Sequence, residues 1–228
     1  DHESRRETTL DQGELEYIAR TGEGWKRDLE GGSISLHGTG RTAGLNQDEM
    51  RRQFEYDTVP HYSKPNGGLP PTTGYKSITL TLPKEVSLYA EGNKQTAIQA
   101  MYKAVDTALA KAYPGKEISA VSAVHTRNES GEVHFHAHVL VSKFARDVET
   151  GKWGSLNWTS ANEHTRLKEG WTSGIKQEFQ KSLGVSIQER KDGKVSLTLP
   201  DGTSLDPLNR NSRRALEKEI APRIERTR

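Results

Sequence analysis

The chain has 228 residues, 32% hydrophobic content, eight histidines, no cysteine and a net charge of +2. That length suits one large domain with a substantial core, while the absence of cysteine excludes disulfides and every thiolate nucleophile or metal ligand. No apolar run approaches the roughly 20 residues of a bilayer span, and no apolar signal segment follows Asp-His-Glu-Ser-Arg-Arg, so a cytoplasmic protein without membrane insertion is expected.

Residues 1–30 read as polar and weakly helical, with Tyr17, Ile18 and Trp25 as apolar anchors. The segment 31–73 is rich in Gly, Pro, Asn and Ser and reads as a long loop carrying one short helix at 47–56. Long loops of this kind serve as lids or binding loops. Residues 77–82 alternate Ile78, Leu80 and Leu82 with polar partners, the pattern of a half-buried strand, stopped by Pro83. Residues 94–112 place Ile98, Met101, Val105, Ala108, Leu109 and Ala112 at helical spacing before Pro114-Gly115.

Two further strands are expected at 118–125 and 133–142, followed by a turn at 146–152 and a short segment at 153–158. A helix over 163–183 carries Leu167, Trp171, Ile175, Phe179 and Leu183 on one stripe and closes at Gly184. Asp192-Gly193 between the apolar runs 185–188 and 195–199 is a hairpin signal. The final stretch carries Arg210, Arg213, Arg214, Lys218, Arg223, Arg226 and Arg228 against Glu217, Glu219 and Glu225, a cationic bias suited to phosphate contact. It reads as a severed helix, so 1–228 is expected to be one domain forming the N-terminal part of a longer protein. The whole pattern predicts an α+β fold with a central antiparallel sheet and helices mainly on one face.

Val133 to Ser142 reads Val-His-Phe-His-Ala-His-Val-Leu-Val-Ser. Strand side chains alternate faces, so His134, His136 and His138 share one side, while Val133, Phe135, Ala137, Val139 and Val141 share the other. His125 precedes them across a polar turn containing Asn128 and Gly131. Isolated histidines are ordinary surface residues, but three in strict alternation with a fourth nearby point to a metal site. Neutral imidazole is a common transition-metal ligand, and three such ligands leave positions open for water or substrate.

His125 followed by His136 and His138, with the strand His-Ala-His-Val-Leu-Val, resembles the HUH endonucleases, and within them the conjugative relaxases of the F-type plasmid family. Gly74-Tyr75 to Ser87, with Thr-Leu-Thr-Leu-Pro-Lys-Glu-Val-Ser, is similar to that family's strand ending in Pro-Lys-Ser-Val-Ser. Gly151-Lys152-Trp153, then a helix, then a Gly-centred hairpin also matches the family's order over roughly residues 17–220. The resemblance implies one divalent ion (Mg, Mn, Ni or Zn) on His125, His136 and His138, with His134 beside it supporting a ligand or contacting DNA. It implies strand-specific nicking and rejoining of single-stranded DNA at a plasmid transfer origin through a 5′-phosphotyrosine, with accessory relaxosome proteins and a coupling protein as partners.

All seven tyrosines precede the histidines, as the permuted relaxase order requires, and Tyr17, just before Gly22-Glu23-Gly24-Trp25, is the candidate nucleophile. Counted back from Trp25, Tyr17 resembles the family's second tyrosine cluster, with Thr8, Thr9 and Leu10 near the first. Ser77 stands where the family has an aspartate, leaving Glu85 and Glu129 as substitute carboxylates. His61, Tyr62, Lys64, Trp153, Trp158, Arg210, Arg213 and Arg214 are candidate lining for a groove in which bases stack and cations meet phosphates. Two rival readings are a three-histidine metal hydrolase unrelated to DNA and a DNA-binding relative without catalysis.

Overall fold

The computed structural model describes residues 35–57, 75–156, 161–205 and 214. Its centre is a four-stranded antiparallel sheet in the order β1-β4-β5-β2. Here β1 is Ser35–Gly38, β2 Tyr75–Thr81, β4 Ser119–Arg127 and β5 Val133–Ser142. The alternation in β5 works as its sequence dictates: Phe135, Ala137, Val139 and Val141 are each at most 1% exposed and join the main core. Cross-strand register sets Ala123 and Thr79 opposite His138, and His125 and Thr81 opposite His136, so these residues share one face of the sheet.

Helices cover the reverse face. Helix α2 (Lys84–Glu91) begins directly after Pro83, whose fixed φ suits a helix start, and its buried Ser87 hydroxyl accepts the Phe135 N–H at 3.1 Å. The long α3 (Lys94–Ala112) lies on β1 and β4, where Asp106 bonds His37 and the Tyr102 hydroxyl accepts the Val124 N–H. Separately, α1 (Gln47–Asp57) contacts β1 and β4 and buries Phe54.

Helix α4 (Ala161–Leu183) packs along α3 at very close range. A Cβ at Gly170 would stand 2.9 Å from the Ala108 Cα, and one at Gly174 would stand 3.0 Å from the Ala104 Cα. Glycine facing alanine therefore sets the helix separation. The same helix guards the outer edge of β2, since Trp171 Nε1 donates to the Thr81 carbonyl at 2.9 Å and Glu163 takes Lys76 and the Tyr113 hydroxyl.

Two smaller antiparallel sheets complete the fold. One orders β3 (Lys116–Glu117), β6 (Phe144–Asp147) and β7 (Trp153–Ser155) as β3-β6-β7. The other is β10-β9-β8, from β8 (Ser186–Glu189), β9 (Val195–Thr198) and β10 (Ser204–Leu205). The hairpin between β8 and β9 turns through Gly193 at φ +78°, a left-handed conformation that glycine adopts without strain.

Three local expectations are corrected. Ser35–Gly38 is a strand inside the segment read as loop: four residues are too few to show a period, and pairing with β4 supplies their hydrogen bonds. Pro83 ends β2 and also opens an unforeseen helix, α2. The predicted 146–152 turn begins as strand β6. The reversal is confined to the residues after Asp147, whose carboxylate accepts the Glu149 and Thr150 N–H groups. No described helix is long and apolar enough to cross a membrane.

Candidate metal centre

His125 on β4 and His136 on β5 are direct cross-strand partners, and His138 is two residues along the same face. The register shifts between His125 and Arg127, a bulge of the kind that re-aims side chains at sheet ends. One ligand nitrogen from each of the three rings lies within 4.8 Å of the others. Ring centroids are 5.2 Å apart for His125 and His136, 4.6 Å for His125 and His138, and 4.9 Å for His136 and His138.

The donor set fits a divalent transition ion. Metal–imidazole bonds of about 2.1 Å place nitrogens roughly 3.4 Å apart around a tetrahedral ion, so shifts on the order of 1 Å in ring position close the site. His136 Nδ1 donates to the His134 carbonyl at 2.9 Å, which frees Nε2 as its ligand atom. Among the described residues, no carboxylate belongs to the cluster. Glu129 is exposed in the β4–β5 turn, and Glu85 sits in the first turn of α2.

These rings are not the open surface that a half-buried strand implies. His125 is 2% exposed and His136 9%. Burial, with the nearby His125 and His136 as lesser causes, lowers the His138 pKa to about 4. Burial likewise lowers that of His136, against the raising effect of its bond to the His134 carbonyl. Both imidazoles are therefore neutral at pH 7, the form that binds metal.

His134 is absent from the ligand cluster, and its ring lies near-stacked on His136 with centroids 5.1 Å apart. Trp153 is partly buried on β7 of a separate sheet, and Arg214 is exposed. Trp171 is a core residue, as its stripe predicts. Tyr17, His61, Tyr62, Lys64, Trp158, Arg210 and Arg213 lie outside the described residues.

A second polar cluster escaped the sequence reading. On the reverse face, His37 is 2% exposed and bonds Asp106 Oδ1 through Nδ1 at 2.8 Å and the Ser122 hydroxyl through Nε2. This order of Asp, His and Ser imitates a hydrolytic triad, but Ser122 is fully buried on β4. The network joins α3 to the edge strand β1. Nothing in the local sequence around His37 separates it from a loop histidine.

No protein-family model matches the chain, and no curated protein does. Among solved structures, it is similar to the conjugative relaxase TrwC in complex with oriT DNA in a copper-bound form, at 16% identity and TM-score 0.60, over 93% of this chain and 88% of that one. A metal-bound complex of TrwC with oriT DNA gives 17% identity and TM-score 0.54, over 80% and 72%. TrwC bound to a 27-mer DNA comprising the recognition hairpin and the cleavage site gives 17% and 0.52, over 79% and 70%. The likeness shows a shared fold: the α+β relaxase architecture with its antiparallel sheet.

Proposed function

We propose that the chain is a conjugative relaxase that nicks and rejoins one strand of DNA at a transfer origin, in a metal-dependent reaction. The observation that carries this reading is the convergence of His125, His136 and His138 on one face of a sheet in a fold shared with relaxases captured on oriT DNA. The rival of a three-histidine metal hydrolase unrelated to DNA predicts metal binding with neither single-strand binding nor an adduct. A binding-only relative remains an outcome of the test below.

His125, His136 and His138 would hold the ion, which when bound offsets charge on the non-bridging oxygens of a phosphodiester. The chain's own contribution is to present three imidazoles together, those of His125 and His136 buried, with His136 held in one tautomer by the His134 carbonyl. His134 supports His136 by stacking. Tyr17 is the proposed nucleophile: its hydroxyl oxygen attacks phosphorus, the bond from phosphorus to the 3′ oxygen breaks, and that oxygen takes up the phenolic proton. The 5′ phosphate stays on Tyr17, and the reverse reaction rejoins the strand. His61, Tyr62, Lys64, Trp153, Trp158, Arg210, Arg213 and Arg214 are proposed to line the path of the strand, and relaxosome and coupling proteins to deliver it.

The test uses labelled single-stranded oligonucleotides tiling a transfer origin, incubated with the chain and Mn²⁺ or Mg²⁺. A denaturation-resistant protein–DNA adduct is expected, lost with chelator and in Tyr17→Phe. Retention without added metal would overturn the metal-dependent mechanism. DNA binding with no adduct in the unmutated chain would favour the non-catalytic relative.

A further inference from the structure

The edge strand β2 runs beside the histidines and contributes a row of hydroxyls to their face. Ser77, Thr79 and Thr81 are all exposed, whereas Leu80 on the opposite face of the strand is buried. Register puts Thr79 directly opposite His138 and Thr81 directly opposite His136. Cβ atoms paired in this way are roughly 5 Å apart, so both hydroxyls border the space into which the imidazoles point. Among the described residues, none of the three hydroxyls has a hydrogen-bond partner.

A strand with its hydroxyls uncommitted beside the three clustered imidazoles is suited to an anionic ligand. Each hydroxyl supplies a donor, and position 77 adds no negative charge to repel a phosphate. The donors recur about every 6.8 Å, two residues of antiparallel strand. That is twice the roughly 3.4 Å axial charge spacing of one nucleic-acid strand, so successive donors can meet charges along a single backbone. The strand is also held still, because Trp171 clamps the Thr81 carbonyl and Lys76 pairs with Glu163.

We propose that Thr79 and Thr81, continued by Ser77, form a hydroxyl rail that grips the phosphodiester backbone of a single strand next to the metal centre. This rests on the relaxase reading and adds substrate-contacting residues to it. Thr→Val keeps the β-branched shape that strands favour and removes only the donor.

The experiment measures binding of fluorescent single-stranded origin DNA in EDTA, and Mn²⁺ binding by calorimetry, for the unmutated chain, Thr79→Val, Thr81→Val, the double valine variant and Thr79→Ser. Circular dichroism of each variant checks folding. Each valine is expected to weaken DNA binding about ten- to a hundredfold, the effect of one hydrogen bond to a charged group. The serine variant should recover most of the loss, duplex DNA should bind weakly throughout, and Mn²⁺ affinity should stay within about twofold. Unchanged DNA affinity in the double valine variant would overturn the rail while leaving the nickase reading intact. A fall confined to Mn²⁺ affinity would instead make the threonines supports for the histidines. If the unmutated chain neither binds single strands nor forms the adduct, the relaxase reading itself fails.

Discussion

Lowering the pH should destabilise the metal-free protein through His138, and the size follows from its burial. In the unfolded chain this imidazole titrates near 6.5, and in the folded protein near 4. Between those values the unfolded state binds the extra proton, so stability falls as pH falls. The penalty is absent above about pH 6.5, grows below it and saturates below about pH 4. The full difference corresponds to about 3 kcal/mol, and the partial exposure of the ring reduces this to about 2 kcal/mol. Urea denaturation in EDTA at pH 7 and pH 4.5 measures it, with His138→Gln as the uncharged control. Carboxylates titrate in both proteins, so the informative quantity is the difference between the two pH dependences. The unmutated chain should lose about 2 kcal/mol more than the variant. Curves parallel to within about 0.5 kcal/mol, the range of an ordinary surface substitution, would refute a neutral, partly buried His138.

Mn²⁺ or Ni²⁺ at one hundred times its dissociation constant should stabilise the protein by about 2.7 kcal/mol, read as a rise in Tm. His136→Ala should abolish that rise, and His134→Ala should keep most of it. Gly170→Ala should cost about 1–3 kcal/mol in chemical denaturation, because the new Cβ would stand 2.8 Å from the Lys111 Cβ and 2.9 Å from the Ala108 Cα. Asp106→Ala should cost about 1–3 kcal/mol by leaving the buried His37 Nδ1 without its partner.

The metal face was legible because two periods coincide in one strand: apolar residues and histidines alternate from Val133 to Ser142, and β4 and β5 pair in the register that brings His125 beside His136. The helix Lys94–Ala112 was legible for the same kind of reason, a 3.6-residue apolar stripe long enough to read. Short elements carried no such signal. Ser35–Gly38 takes its identity from its distant neighbour β4, and Phe144–Asp147 pairs with the two-residue β3 and the three-residue β7, all too short to show a period. The depth of the site was also hidden. Alternation says which side His125 and His136 face, but their burial depends on what packs over that side. His37 was missed because its meaning lies in Asp106 and Ser122, 69 and 85 positions away.

The most direct test of the account is X-ray absorption on the chain loaded with one equivalent of Ni²⁺ or Zn²⁺. Fitting of the imidazole scattering should return three histidine ligands near 2.0–2.1 Å, falling to two in His125→Ala, His136→Ala and His138→Ala while remaining three in His134→Ala. One imidazole or none in the unmutated chain, or a spectrum unaffected by the three ligand substitutions, would contradict a shared metal centre and remove the basis for the proposed chemistry.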